Sequence, residues 1–352
     1  MTVLLTIAAI VIVLFVIIFL HELGHFLAAK AARVSVEEFG IGFPPRLFGI
    51  RFRGTIYSLN LIPIGAFVKM AGEAEAKIPG SLYSKPAWVR FLVSGAGPAT
   101  NITLALVLFT TSFMFPTVVP VLDQGILVRE VAPASPAEKA GIQPGDRILS
   151  IAGQPVKTLD EAAQAIHGHK GQQIQMVLLR GDQRLSVSLI PRPKPPPGQG
   201  PTGATLSYPT TVQRFSLTQA LARSGRLFIH LPVILKDFFT SVAREPGKSL
   251  VGPVGAAQLT GEVVKYGLQP MVGLAGSLSL GLGIFNLFPI PPLDGGGMLI
   301  ALGEGLSRRG HLSPRLRQII YAGGTLLLIS IILVVTYNDI ARLIQGESIL
   351  PW

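Results

Sequence analysis

The stretch LLTIAAIVIVLFVIIFLHELGHFLAA, residues 4–29, decides how the chain must be read. Up to Leu20 it is apolar except for Thr6. At ~1.5 Å per residue, a helix of that length crosses a hydrocarbon core of roughly 30 Å. A cleaved signal peptide has a basic start and ends on small residues. Here the start is Met1-Thr2-Val3 and the run meets His21-Glu22, so a retained transmembrane helix is expected. The apolar run resumes at Phe26-Leu27-Ala28-Ala29, which places His21, Glu22 and His25 inside the span. Facing lipid, each would cost about 2–3 kcal/mol, so they are expected to face protein.

Working outward, three more apolar spans follow: Phe91–Phe115, Met271 to about Leu302 (broken by Pro289, Pro291 and Pro292), and Ile319–Tyr337. The 352-residue chain is only 14% charged, against about a quarter in soluble proteins, and its mean hydropathy is +0.52. The expected fold is therefore an α-helical polytopic membrane protein with about four transmembrane helices. There is no cysteine, which excludes disulfides, thiolate metal sites and cysteine nucleophiles. The net charge of +11 is read as Lys and Arg held near anionic lipid headgroups of the bilayer. With no zinc finger, helix-turn-helix or RNA-reading motif, no nucleic-acid partner is expected. Oligomeric state is not legible.

Between the first two spans, Val34–Met70 alternates branched and aromatic residues around Arg53-Gly54, which predicts a membrane-associated β-hairpin or small sheet. Residues 126–191 predict an inserted α+β module. Its strands are Ile126–Val131, Arg147–Ile151, Ile174–Arg180 and Arg184–Leu189, and its helices are Pro136–Ala140 and Leu159–Gly168. PRPKPPPGQGP (191–201) reads as a stiff linker. Leu227–Val242, with His230, Pro232, Lys236 and Asp237, reads as an amphipathic interfacial helix. The expected segments are thus 1–120 (two spans and the β-loop), 121–191 (the module), 192–270 (linker and amphipathic region) and 271–352 (two spans). Lys and Arg are dense from Lys30 to Arg90, and Arg308, Arg309, Arg315 and Arg317 precede the last span. The positive-inside rule puts both regions in the cytoplasm, with the module and both termini outside.

His21-Glu22-Leu23-Gly24-His25 is H-E-x-x-H. On a helix, positions four apart share a face, so both imidazoles can bind one zinc ion, with Glu22 placed to move protons. A catalytic zinc needs a third protein ligand. The third span offers one acid, Asp294, at similar depth in a span of the same direction; the other reading of Asp294 is an N-cap on the helix that follows. Asn286 and the proline-rich turn after it leave backbone groups unpaired at membrane depth, which is expected where backbone lines a cavity, here a substrate groove. Ser94-Gly-Ala-Gly-Pro-Ala-Thr-Asn101 is read as a close-packing face, with Asn101 open to a bond into the site. His167 and His169 are placed on a solvated loop, and His230 and His311 have no assigned role.

With these motifs the chain resembles the site-2 protease family, in its bacterial branch with a single PDZ domain. HELGH (21–25), LNLIPIGAFVKMAGE (59–73), GPVGAAQLTGE (252–262) and NLFPIPPLDGG (286–296) occur in the family's order over nearly the whole chain. GILVREVAPASPAEKAGIQPGDRILSIAGQPV (125–156) resembles the PDZ signature. The resemblance implies Zn2+ held by His21, His25 and Asp294, with Glu22 as catalytic base. It implies substrate binding by Asn286, Pro289 and Pro291, and by Gly65 and Ala66 in a β-loop that guides unwound substrate. Gly65-Ala66 departs from the family's usual Gly-Gly pair. The implied activity is intramembrane proteolysis of single-pass membrane proteins, such as anti-sigma factors or leftover signal peptides. The implied setting is a bacterial inner membrane, with the active site near the cytoplasmic side and the PDZ domain extracytoplasmic. A non-catalytic adaptor is disfavoured by the intact Glu22. A metal transporter is disfavoured because spans two and four lack acids and histidines.

Overall fold

The computed structural model describes residues 2–72, 80–122, 124–196, 199–244, 252–307 and 312–345. Glu73, Pro197, Gly198, Arg308, Arg309 and His311, which entered the sequence reading, lie outside these. The chain forms two compact units, one of residues 1–115 with 215–352 and the other Pro116–Arg214.

The first unit begins with α1 (Thr2–Ala31), 30 residues and roughly 45 Å long. Strands β1 (Val36–Phe52) and β2 (Thr55–Met70) follow. They turn at Arg53 and Gly54, both at positive φ (46° and 83°), the two-residue pattern that suits the natural twist of a hairpin. Both strands bend, β1 at Gly42-Phe43-Pro44-Pro45 and β2 near Pro63 and Gly65, where proline and positive-φ glycine break the ladder. Residues 38–41 consequently pair with 56–59 on one side and with 66–69 on the other.

Helix α2 (Ala87–Met114) is the hub of this unit. It packs on α1, on α5 (Leu217–Ile229), on α8 (Leu268–Asn286) and on α9 (Asp294–Leu306). Small residues make these crossings possible. A Cβ at Gly24 would lie 2.8 Å from the Ala96 carbonyl oxygen, and one at Gly283 would lie 3.1 Å from that of Pro98. The third span is two helices, α8 and α9, separated by the proline turn 287–293. Helix α6 (Leu231–Arg244) follows α5 after a break at His230, with Pro232 in its first turn where no N–H is needed. The expected single helix over Leu227–Val242 is thus two, and α5 is tied to α2 through Ser224 Oγ, which accepts from Thr110 Oγ1 at 3.1 Å. The remaining helices are α7 (Pro253–Val263) and α10 (Pro314–Gln345). Among the described residues, four helices are long and apolar enough to cross a membrane: Ile7–Ala31, Ala87–Met114, Leu268–Asn286 and Arg315–Gln345. On α1, Ile7, Ile12, Val16 and Leu27 are exposed, as are Ile319, Leu326 and Leu333 on α10, the surface a lipid-facing helix requires.

The second unit carries a sheet of β4 (Ile126–Val131), β5 (Arg147–Ile151), β7 (Ile174–Arg180), β8 (Gln183–Leu189) and β9 (Ala204–Ser207), in the order β8-β7-β5-β4-β9. The short β6 (Gln154–Pro155) pairs with β5. Helices α3 (Pro136–Lys139) and α4 (Leu159–Gly168) accompany it, α4 opened by a Thr158–Glu161 capping box. The inward-facing strand residues Ile126, Val128, Ile148, Ile151, Ile174, Met176 and Leu178 fill its core. The unit runs past the expected 121–191. After the proline stretch the chain returns, the Arg192 amide donating to Pro201 O at 2.8 Å, and β9 pairs with β4. β10 (Thr210–Gln213) then pairs with β3 (Thr117–Pro120). The stretch read as a linker therefore falls within this unit and does not end it.

Candidate metal centre and active site

Helix α1 presents His21 and His25 on one face, both 7% exposed. Their Nε2 atoms lie 3.2 Å apart. Nε2 of His21 is 3.1 Å from Asp294 Oδ2, and Nε2 of His25 is 3.2 Å from Asp294 Oδ1. Asp294 is the first residue of α9, so the carboxylate also sits at a helix N-terminus, while the residue at the N-cap itself is Leu293. Among the described residues, His21, His25 and Asp294 form the one group whose ligand atoms gather within 4.8 Å.

This trio fits a cation. Nδ1 of His25 donates to the carbonyl oxygen of Val93 at 2.8 Å, which leaves the lone pair on Nε2. Two ring nitrogens converge on one carboxylate from 3.1 and 3.2 Å, and such a gathering of lone pairs calls for a positive charge between them. Two nitrogens and an oxygen also suit zinc, which leaves a position open in catalytic sites.

Helix α2 makes room for the trio. A Cβ at Gly97 would lie 2.3 Å from His25 Nε2 and 2.6 Å from His21 Nε2, so only glycine fits against the imidazoles. One turn on, the Asn101 side-chain amide, fully buried, lies 3.1 Å from His21 Nδ1. The segment read as a packing face thus packs on the site itself, and Asn101 does bond into it.

Glu22 lines a cavity of about 1230 Å³ together with His21, His25 and Asp294. Its Oε2 accepts from the Val68 amide of β2 at 3.2 Å. Val68 and Met70 line the same cavity, whereas Gly65 and Ala66 are buried away from it, Gly65 against Ile18 of α1. Asn286 at the end of α8 and Pro292 in the proline turn line the cavity. Pro289 is exposed, and Pro291 is buried with its ring and nitrogen against Gly296. The cavity is also lined by Tyr83, Arg90 and Arg317, which no motif singled out. Burial, against the opposing pull of Arg317, pushes the Tyr83 phenol up to about 12, so it stays neutral. His167 and His169 end α4, where His169 Nδ1 donates to Ala165 O.

The sequence pattern of peptidase family M50 matches residues 9–331. The chain belongs to peptidase family M50. Two relatives with zinc-metalloprotease names extend the match. One from Mesorhizobium japonicum is 32% identical over 359 residues, covering 93% of this chain and 96% of its own. One from Clostridium perfringens is 32% identical over 330 residues, covering 92% and 95%. Among solved structures, the PDZ domain of the SdrC-like protein from Listeria monocytogenes is 27% identical, covering 25% of this chain and 93% of its own, with a TM-score of 0.22. As an M50 peptidase with four such helices, the chain is a multi-pass membrane protein that hydrolyses peptide bonds.

Proposed function

We propose that His21, His25 and Asp294 hold the zinc ion of this M50 metalloprotease, that Glu22 is its general base, and that it cuts transmembrane segments of single-pass membrane proteins. The observation that carries this reading is the convergence of both Nε2 atoms on one carboxylate beside Glu22. Bound zinc would polarise the scissile carbonyl and acidify the attacking water. Glu22 then takes the proton from that water and gives it to the leaving amine. The Val68 amide holds one Glu22 oxygen, leaving the other for the proton.

Segment 66–70 supports a route for the substrate. It pairs with 36–41 on one side, and Val68 and Met70 turn toward the cavity on the other. A substrate opened from its helix can add to this edge as a strand, which satisfies its backbone and exposes the scissile bond. Substrate binding is assigned to Asn286 and Pro292 with the 66–70 edge, and the prolines at 289 and 291 shape the turn that carries them. The apolar tip of the hairpin, with Leu47, Phe48, Ile50 and Phe52 exposed, suits contact with the bilayer.

By family resemblance, the substrates are anti-sigma factors or remnant signal peptides in a bacterial inner membrane. The charge pattern supports an active site toward the cytoplasm. The strand and helix pattern of the second unit supports a PDZ module, set outside the membrane as a peptide binder or size filter.

The test is cleavage of a model transmembrane peptide in detergent by wild type and Glu22→Gln, each with and without chelator. Cleavage by the wild type is expected to stop with chelator. Loss of Glu22's carboxylate is expected to slow it by about 10²–10⁴-fold with zinc retained. Equal cleavage by both proteins would exclude the mechanism.

A further inference from the structure

Two arginines that line the cavity, Arg90 and Arg317, belong to a buried ion network outside the metal centre. Glu304, near the end of α9, is 8% exposed and is bound by Arg90 of α2 and by Arg317 of α10, whose Nη2 donates at 2.9 Å. The Leu312 amide also donates to Glu304 Oε1, at 2.8 Å. Tyr83 steadies the guanidiniums, with Arg317 at 3.4 Å and Arg90 at 5.5 Å from its ring centroid.

We propose that Glu304 is a positioning residue for Asp294, clamping α9 to α2 so that the carboxylate is held at zinc-binding distance from the two imidazoles. The inference rests on Asp294 being a zinc ligand. Helix α9 has 13 residues, with Asp294 at its first position. Glu304 lies ten residues on, roughly 15 Å along a stiff rod, so axial slip at one end is passed to the other. The two helices run past each other in a close ladder. A Cβ at Gly305 would lie 2.9 Å from the Ala87 Cβ, and one at Gly297 would lie 3.1 Å from Ser94 Oγ.

Helix α2 is a common frame for both halves of the site. Through Val93, Gly97 and Asn101 it holds the imidazoles; through Arg90 it holds Glu304 and hence the helix of Asp294. Glycine contacts alone resist sideways motion but slide easily along the axis. Charge-assisted bonds from guanidinium forks are directional and resist that slide. Metal–ligand distances are met within about 0.2 Å, so a small slip matters.

The experiment measures zinc affinity by chelator competition, the visible spectrum of the cobalt-substituted protein, and the melting temperature of the metal-free protein. The variants are Glu304→Gln, Glu304→Asp, and a triple variant (Arg90→Met, Glu304→Met, Arg317→Met) that removes the charges together. The structural control is Asp339→Asn. Asp339 is 2% exposed and accepts from the Gly255 amide and Arg342, so its loss disturbs a different helix end. Expected are a roughly 10–100-fold fall in zinc affinity and an altered cobalt spectrum in the Glu304 variants, with melting alone affected in Asp339→Asn. A folded Glu304→Gln or triple variant with zinc affinity within about twofold of wild type and an unchanged cobalt spectrum overturns the proposal. So does an equal loss of affinity in Asp339→Asn, or failure of all three Glu304 variants to fold, since either outcome marks a purely structural role. Asp294→Asn is measured alongside; wild-type zinc affinity there would instead remove the ligand assignment itself.

Discussion

Nδ1 of His25 lies 2.8 Å from the carbonyl oxygen of Val93, and this pairing settles which ring nitrogen faces Asp294. A carbonyl can only accept, so Nδ1 carries the proton and Nε2 is free to bind a metal. The same stretch of α2 presses Gly97 onto both Nε2 atoms.

Gly97→Ala is therefore expected to displace both imidazoles while leaving α2 helical, since alanine is the better helix former. Zinc content after dialysis should fall well below one ion per chain, with peptidase activity lost in proportion. Full zinc occupancy in a folded Gly97→Ala protein would show that the packing against the rings is looser than the distances state.

Asn101 plays for His21 the part that Val93 plays for His25. With a metal on Nε2, Nδ1 of His21 is protonated and needs an acceptor, which the Asn101 side-chain oxygen supplies when the amide is turned to it. Asn101→Leu should weaken zinc binding about 10–100-fold. Asn101→Asp keeps an acceptor and should hold zinc more tightly than the leucine variant. Chelator titration separates the two, and equal affinities would argue that Asn101 only fills space.

The Val68 amide donates to Glu22 at 3.2 Å. Val68→Pro removes that donor at the edge of the sheet, where proline is tolerated. Glu22 should then be less well aimed. Turnover is expected to drop by about tenfold or more, the scale of losing a group that positions the base, with zinc binding unchanged. Simultaneous zinc loss would instead mean that the whole 66–70 segment had moved.

In the second unit, Asp146 is 1% exposed. Burial alone would raise its carboxyl, but paired bonds from Arg180 at 2.7 and 2.8 Å and the Gln143 amide outweigh this and hold it below its ordinary value. A lowered folded pKa gives stability that is present above the unfolded value, near 4, and is lost as pH falls through the folded one. Asp146→Asn should lower the melting temperature of this unit by about 5 °C at neutral pH. The gap to wild type should stay constant from about pH 5 to pH 8 and shrink below about pH 4. A gap that persisted in strong acid would assign the effect to packing.

Much of the fold could be read from residues close together in the chain. The apolar runs became α1, α2, α8 and α10, and Arg53-Gly54 became a two-residue turn at positive φ. The strands and helices over 126–189 formed within one or two residues of expectation. Four short strands escaped, the two-residue β6 among them. β3, β9 and β10 have four residues each, too few for alternation to register, and two of them follow a proline-rich stretch that looks like a break.

The i, i+4 spacing of His21 and His25, with Glu22 between them, was determined by sequence alone, because helical geometry puts such positions on one face whatever surrounds them. Only the tertiary structure decided what completes the site. Asp294, named in the sequence as the third span's one acid, is seen to meet the imidazoles across more than 250 positions of chain, while Val68 rather than Gly65 or Ala66 reaches Glu22, Pro292 rather than Pro289 or Pro291 reaches the cavity, and Arg90 pairs with Glu304. Local periodicity says which way a side chain leaves its own helix or strand. Which distant side chain it meets depends on how glycine-lined helices settle against one another, and no local pattern encodes that registration.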